Sequence, residues 1–348
     1  MRHNKRLLYV CGGTGGHIYP CIALAQYMKG YEPCFIGSRS SLDRNLITKY
    51  GFRFLGVLTS SWNPFLILMG VFHSLFYLLL LRPSMVVLSG GYVSFPVLIS
   101  ATLLRFPVVI LEQNVVPGRV NKWGAFLGYK VLLSFEATSR YLATKKTIYT
   151  GNPIRLTYPK DISGSLDSLT WAAGKCLLVV GGSQGAFALN DFVLNNKSAI
   201  YNAGFTIIHI TGMAYYNKYY DTAKPMCVES NSQGAVINLT LPYCDEMDAL
   251  YALSDCVFAR SGATTIAELL YFNKPAVLVP YPFSTDNHQH LNAREFVRLG
   301  TGVVIDQKEL IMRRFLDSIS KVTKDSPPCS ISKNPVSEVS KEILEILS

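Results

Sequence analysis

Residues 7–17 read LLYVCGGTGGH, and residues 177–186 read LLVVGGSQGA. Each is a short aliphatic run, then a glycine-rich turn, then the start of a stretch of helical composition. Glycine allows a sharp turn and leaves backbone N–H groups unobstructed by a Cβ. A helix opening straight after the turn adds roughly half a positive charge at its N-terminus. One such opening predicts one Rossmann-like unit with an anion-binding loop. Two of them, about 170 residues apart, predict two units.

Outward from these openings, apolar β-branched runs recur at Leu7–Cys11, Met85–Leu88, Val108–Leu111 and Val131–Leu133. They recur again at Leu177–Val180, Thr206–Ile210, Ala235–Leu239, Cys256–Ala259, Ala276–Pro280 and Val303–Ile305, with helical stretches between. Near-continuous apolar strands suit parallel sheets covered on both faces. The alternation of strand and helix predicts an α/β protein. We expect two Rossmann-like domains with parallel sheets facing across a cleft, and ligands at the carboxyl ends of the strands. The 348 residues accommodate domains at 1–156 and 157–348, joined through the Pro-, Gly-, Ser- and Asp-rich segment Thr157–Lys175.

Composition narrows the partners. Hydrophobic residues make up 49% and charged residues 16% of the chain. That charge content is below the ~25% usual for soluble proteins; it excludes a disordered chain and points to a partly apolar surface. The net charge of +10 is uneven: residues 1–160 hold 18 Lys+Arg and 4 Asp+Glu, and the remainder 15 and 19. A polyanion or an anionic membrane surface is the matching partner class. Nucleic acid is not expected, because zinc-finger spacing, aromatic RNP-type strands and Lys/Arg-dense stripes are all missing. The eight cysteines form no Cys-x-x-Cys pair, so zinc is not expected and the thiols read as free in a reducing cytoplasm. The start, MRHNKRLLYVCGGTGG, reads as a strand entering a glycine loop and not as a signal peptide.

Phe65–Leu81, FLILMGVFHSLFYLLLL, is the apolar extreme. As a helix it spans ~26 Å, short of a ~30 Å hydrocarbon core. Gly70, His73, Ser74 and Tyr77 share one face. A buried core helix, a transmembrane span and an interfacial, membrane-seated element all fit. The basic half of the chain favours the last.

Several polar residues follow predicted strand ends. His17 stands where the first loop enters its helix; an imidazole there can accept a proton near neutral pH. The second loop, Gly181–Ala186, is a second anion site by the same physics. Downstream, Arg260–Leu269 reads as strand end, small-residue turn and helix, with Glu268 able to accept two hydroxyl hydrogen bonds from a ribose diol. The polar run Thr285–Ala293 suits sugar hydroxyls. A dinucleotide-binding oxidoreductase is disfavoured: its second strand should end on an acid, and Pro33–Ser38 carries none.

Taken together, GGTGGHIYP (12–20), SGGYVSFP (89–96), LEQNVVPGRVNK (111–122), GNPIR (151–155), GGSQGAFALN (181–190), ARSGATTIAEL (259–269) and DNHQHLNA (286–293) resemble the MurG family of GT-B glycosyltransferases, in the family's order. The resemblance implies transfer of N-acetylglucosamine from UDP-GlcNAc to the C4 hydroxyl of MurNAc in undecaprenyl-diphosphate-linked muramoyl-pentapeptide (lipid I), giving lipid II for peptidoglycan. It implies inversion at the anomeric carbon and no metal or other cofactor. It implies a peripheral position on the cytoplasmic face of the bacterial inner membrane.

Residue by residue, the resemblance sets Thr14, Gly15 and Gly16 at the acceptor diphosphate and donor, with His17 as general base. Asn114 falls to the donor sugar, and Arg155 and Ser183 to the nucleotide or diphosphate. The Cys244 backbone falls to the uracil. Ala263, Thr264, Thr265, Ile266, Ala267 and Glu268 form the donor loop, with Glu268 on the ribose. Gln289, aided by Asn292, falls to the GlcNAc. Two departures stand out. Leu111 replaces a usual histidine, which strengthens His17 as the base. Asp43 replaces a usual glutamate, a shortening expected to shift an acceptor contact. A glycosyltransferase with another lipid acceptor such as diacylglycerol, and a non-catalytic nucleotide-sugar-binding protein, are the alternatives.

Overall fold

The computed structural model describes residues 5–59, 63–144, 146–156, 170–172, 174–182, 184–224, 226–299, 302–325 and 334–348. They form two units: Met1–Arg155 with Lys333–Ser348, and Leu156–Ser332.

In the first unit the strands are β1 (Arg6–Val10), β2 (Glu32–Ser38), β3 (Arg53–Val57), β4 (Met85–Leu88), β5 (Val108–Glu112), β6 (Lys130–Leu133) and β7 (Thr147–Tyr149). The helices between them are α1 (Gly15–Tyr27), α2 (Ser41–Lys49), α3 (Pro64–Leu81), α4 (Ser94–Leu103) and α5 (Arg119–Phe126). The sheet order is β3-β2-β1-β4-β5-β6-β7, and every pairing is parallel. Side chains alternate between the faces, so each central strand feeds two cores. Leu7, Tyr9, Met85, Val87, Val109 and Leu111 pack with Ile18, Ile22 and Leu24 of α1. Leu8, Val10, Val86, Leu88 and Ile110 pack on the other face with residues of α3, α4 and α5. This double burial is why these strands read as unbroken apolar runs.

The second unit holds β8 (Lys175–Val180), β9 (Phe205–Ile210), β10 (Cys227–Ser230), β11 (Val236–Leu241), β12 (Cys256–Ala259), β13 (Ala276–Leu278) and β14 (Gly302–Val304). Its helices are α6 (Phe187–Asn202), α7 (Met213–Tyr219), α8 (Met247–Leu253), α9 (Ala263–Tyr271), α10 (His288–Arg298) and α11 (Met312–Asp325). The order is β10-β11-β9-β8-β12-β13-β14, parallel except for the β10–β11 pair. The two expected parallel sheets are therefore present. The apolar runs leave out β2, whose Pro33 and Gly37 interrupt its aliphatic stretch, and also β3, β7 and β10, which are only partly buried. The last three lie at sheet edges, where one face or end needs no apolar cover.

Two boundaries differ from expectation. Most of the expected linker lies outside the described residues, but its end does not. Trp171 bridges to Val236 and Lys175 opens β8, so both belong to the second unit. The larger correction concerns the C-terminus, which the expected boundary at 157–348 places in the second domain. The last helix, α12 (Pro335–Leu347), instead belongs to the first unit. Val336, Val339 and Ile343 are buried in the α1 core, and Lys130 of β6 is 2.7 Å from Glu342. Each fully buried aliphatic side chain contributes ~1.5–3 kcal/mol. Ile343→Ala is expected to destabilise the first unit by ~2–5 kcal/mol. Hydrogen exchange should show faster opening of β1 and β4 with β8 and β12 unchanged; faster exchange confined to β8 and β12 would refute this docking.

One buried histidine gives the second unit a pH dependence. His209 in β9 is enclosed, with Nε2 2.9 Å from Asn190 Oδ1, while Asn190 Nδ2 donates to the Thr211 carbonyl. Burial pushes the imidazole down to about 3. Between that value and the ordinary ~6.5, the unfolded chain binds one more proton than the folded one, so stability falls as pH falls. The expected loss from this residue between pH 7 and pH 5 is ~2 kcal/mol. Urea titrations at the two pH values should show it, and His209→Gln should remove most of the difference.

Candidate active site

Strand order reverses between β1 and β4 in one sheet and between β8 and β12 in the other. Such switch points open a crevice at the carboxyl ends of the strands. Both glycine-loop openings sit there.

In the first unit, Thr14 is the extended N-cap of α1, makes no side-chain cap bond, and no acid stands in the first turn. The opening N–H groups of α1 thus lack a side-chain cap, as an anion site requires. The loop is braced from below by Asp43. Its carboxylate accepts from Gly13 N–H at 3.0 Å, Ser38 N–H at 3.0 Å and the Ser38 hydroxyl at 2.6 Å. A Cβ on Gly12 would strike Asp43 Oδ2. Asp43 is fully buried. The expectation that it meets an acceptor is therefore corrected: its short side chain holds the loop.

His17 is the third residue of α1 and half-buried. Its Nδ1 lies 3.1 Å from Gln113 Oε1, and its carbonyl accepts the Ser89 hydroxyl at 2.7 Å. The ring lies against Gly90, where a Cβ would come within 3.0 Å of Cε1; a φ of +97° independently favours glycine there. Leu111 points into the α1 core, so that position faces packing and not the crevice. Glu112 is also buried, accepting from Asn114 N–H at 2.9 Å, Gly118 N–H at 2.9 Å and Asn121 Nδ2 at 2.8 Å. Burial raises its carboxyl above the usual range, and these donors pull against that rise. The result is a pinned loop that leaves Asn114 half-exposed at the strand end. Arg155 lies over the Tyr19 ring, 4.4 Å from its centroid, and donates to the Tyr50 hydroxyl. It belongs to the first unit.

In the second unit, α6 and α9 both begin without a side-chain cap or an acid in the first turn. Ser183, expected in the second loop, lies outside the described residues. Gly185 is fixed by crowding, since a Cβ there would strike the Thr211 carbonyl. At α9, Ala263, Thr265 and Ile266 are largely buried. The Thr264 hydroxyl is buried with no hydrogen-bond partner. Ala267 and Glu268 are half-buried. Glu268 Oε2 accepts from Tyr251 at 2.9 Å. Burial and the facing carboxylate raise the Tyr251 phenol well above its ordinary value, which makes it a permanent donor.

Arg260 is tied to the Val279 and Pro280 carbonyls and to Gln307 Oε1, at 3.0, 3.1 and 2.6 Å. Its burial lowers the guanidinium to about 10. Gln289 Oε1 accepts from Tyr281 N–H at 2.9 Å, and the Gln289 carbonyl accepts the Ser261 hydroxyl at 2.8 Å. Asn292 is fully buried beneath this turn, its amide 3.4 Å from the Ser261 carbonyl. Its expected help with the sugar is corrected to support of the turn, because a fully enclosed side chain cannot reach a ligand. Cys244 is half-buried, and burial pushes its thiol up to about 11. Among the described residues no group of three or more His, Cys, Asp or Glu is gathered as metal ligands.

Sequence reasoning missed Gln113, Tyr251 and the inward turn of Asp43. Only the first carries a signal in the chain, as a polar residue directly after a strand that ends at a switch point.

Comparison with known proteins now decides the lineage. Residues 7–132 match the glycosyltransferase family 28 N-terminal domain, and residues 176–345 match its C-terminal domain. A Desulfotalea psychrophila protein is 34% identical over 341 residues, spanning 91% of this chain and 88% of its own length. A Prochlorococcus marinus (strain MIT 9215) protein is 36% identical, spanning 93% and 88%. Both are named UDP-N-acetylglucosamine–N-acetylmuramyl-(pentapeptide) pyrophosphoryl-undecaprenol N-acetylglucosamine transferase. The chain belongs to the MurG family. The crystal structure of Acinetobacter baumannii MurG aligns with a TM-score of 0.67 at 23% identity, covering 98% of this chain and 99% of that one. The fold is thus that of MurG and the GT-B glycosyltransferases.

Proposed function

We propose that this protein is an inverting glycosyltransferase that moves GlcNAc from UDP-GlcNAc to the MurNAc C4 hydroxyl of lipid I, giving lipid II in peptidoglycan synthesis. The observation that carries this reading is identity of 34–36% to proteins named for that transfer over about nine-tenths of their length and of this chain. In the reaction, His17 takes the proton of the attacking hydroxyl as the new bond forms. The oxygen attacks the anomeric carbon, and UDP departs from the opposite side with a growing negative charge. The uncapped starts of α6 and α9 supply fixed N–H donors for that charge. Glu268 accepts the ribose hydroxyls, Gln289 and Asn114 meet the sugar, and the Cys244 backbone meets the uracil. Thr14, Gly15 and Gly16 hold the acceptor diphosphate. Arg155, seated on Tyr19 and Tyr50, meets the nucleotide or diphosphate.

Purified protein with labelled UDP-GlcNAc and a lipid I analogue should yield labelled lipid II. Transfer to diacylglycerol instead, or binding of UDP-GlcNAc without turnover, would redirect the assignment to the corresponding alternative.

The peripheral membrane location rests on α3. It is long and apolar enough to cross a membrane by length and composition. Yet Gly70, Ser74, Leu78 and Leu81 face inward, and a Cβ on Gly70 would press on the Leu58 carbonyl and Pro96 of α4. The small residues let α3 approach α4 closely, and the bulky ones face out: Phe65, Leu68, Phe72, Phe76, Leu79 and Leu80 are all exposed. Trp123 and Phe126 of α5, whose core-facing side shares the same cluster, are exposed as well. An outward apolar stripe on a basic half suits the interfacial reading, in which the helix lies in an anionic leaflet. Phe72→Asp with Phe76→Asp is expected to abolish most binding to anionic vesicles at low salt. Unchanged sedimentation with vesicles would remove α3 as the anchor.

A further inference from the structure

We propose that Gln113 is a positioning residue that holds His17 in the tautomer with its proton on Nδ1, so that Nε2 carries the accepting lone pair. The inference rests on the reading of His17 as general base, and deepens it.

Gln113 follows β5 and is buried. Its Nε2 lies 3.3 Å from the Leu111 carbonyl, which can only accept, so that end of the amide is the NH2 group. The same nitrogen lies 2.9 Å from Ser89 Oγ. Ser89 Oγ in turn lies 2.7 Å from the His17 carbonyl, another pure acceptor, so the single hydroxyl hydrogen goes there. The Ser89 oxygen is thus left to accept from Gln113. With its NH2 committed twice, Gln113 turns Oε1 toward His17 Nδ1 at 3.1 Å. An amide oxygen only accepts, so Nδ1 must donate. A flipped amide would set oxygen against the Leu111 carbonyl and abandon Ser89.

The buried carboxylates of the two adjoining loops have donors of their own. Asp43 is bonded to Gly13 and Ser38, and Glu112 to Asn114, Gly118 and Asn121. The partner that Nδ1 meets at 3.1 Å is a neutral amide. It selects a tautomer, as the carboxylate of a catalytic triad does, without adding a negative charge that would favour the imidazolium. Gly90 leaves room for the ring to lie flat in this arrangement.

The test reads the tautomer directly. The full chain has six histidines, so ring-nitrogen-labelled histidine gives a short spectrum in which the His17 signals are those lost in His17→Ala. The resting wild-type protein is expected to show the proton on Nδ1 above the titration of the ring. Gln113→Leu should shift the population toward the Nε2 proton and lower kcat ~10–10³-fold with KM little changed. Gln113→Glu, which keeps an acceptor but adds charge, should recover part of kcat and move the acid limb of the pH profile upward by ~1–3 units. A wild-type proton on Nε2, or a Gln113→Leu protein with unchanged tautomer and pH profile, overturns the proposal. If the tautomer shifts as expected while His17→Ala retains full turnover, the positioning stands and the reading of His17 as base fails.

Discussion

His17→Ala is expected to lower turnover by ~10²–10⁴-fold. The imidazole is the candidate proton acceptor at the first switch point, held by Gln113 on Nδ1 and seated against Gly90. Alanine removes the base and leaves the loop, because the Asp43 bonds that shape it do not pass through residue 17. Donor binding should therefore survive, and circular dichroism should show an unchanged fold. Transfer assays at saturating donor and acceptor measure the effect. Near-normal turnover would remove His17 as the base and return the question to other groups at the strand ends.

The second large effect is expected at Glu268. A carboxylate that accepts two hydroxyls from a ribose makes two charge-assisted hydrogen bonds, each contributing ~1.5–3 kcal/mol. Tyr251 donates to Oε2 and fixes the rotamer, so the side chain is already ordered before the nucleotide arrives. Glu268→Ala should weaken UDP-GlcNAc binding by ~10²-fold or more, seen as a raised KM with a smaller change in kcat. A 2′-deoxyribose analogue of the donor should bind the wild type more weakly and the variant no more weakly than UDP-GlcNAc itself. Equal loss of the analogue's affinity in both proteins would place Glu268 away from the ribose.

The chain announces its two sheets because the central strands are buried on both faces and are mostly apolar, His209 of β9 being a hydrogen-bonded exception. β1, β4, β5, β8, β9 and β12 are legible for that reason. The edge strands β3, β7 and β10 are not, since a half-covered strand needs no unbroken apolar run, although β14, also at an edge, keeps one at Val303–Val304. The outward stripe of α3 shows the same limit from another side. Composition marks the helix as apolar, but only the burial of Gly70 and Ser74, with Gly70 against Pro96 of α4, tells which face is left over.

The candidate site divides similarly. The glycine loops are readable because turn geometry and anion binding demand that residue type at strand ends; the roles proposed for His17 and Glu268 come from the family resemblance. Asp43 and Asn292 are polar residues in polar blocks, and nothing local distinguishes a ligand contact from a buried brace. The Gln113–His17 contact joins residues 96 positions apart. Chain order cannot disclose it.

By itself, then, the sequence determined two α/β units opened by glycine loops, a basic first half, and a family resemblance carried by blocks at the strand ends. Local rules of periodicity, turn chemistry and charge suffice for these. Tertiary structure alone decided that α12 returns to the first unit, that Asp43 and Asn292 face inward, and that Gln113 rather than a carboxylate meets His17. Each of these is a choice between partners of similar chemistry. Only the three-dimensional fit of burial and hydrogen bonding separates them.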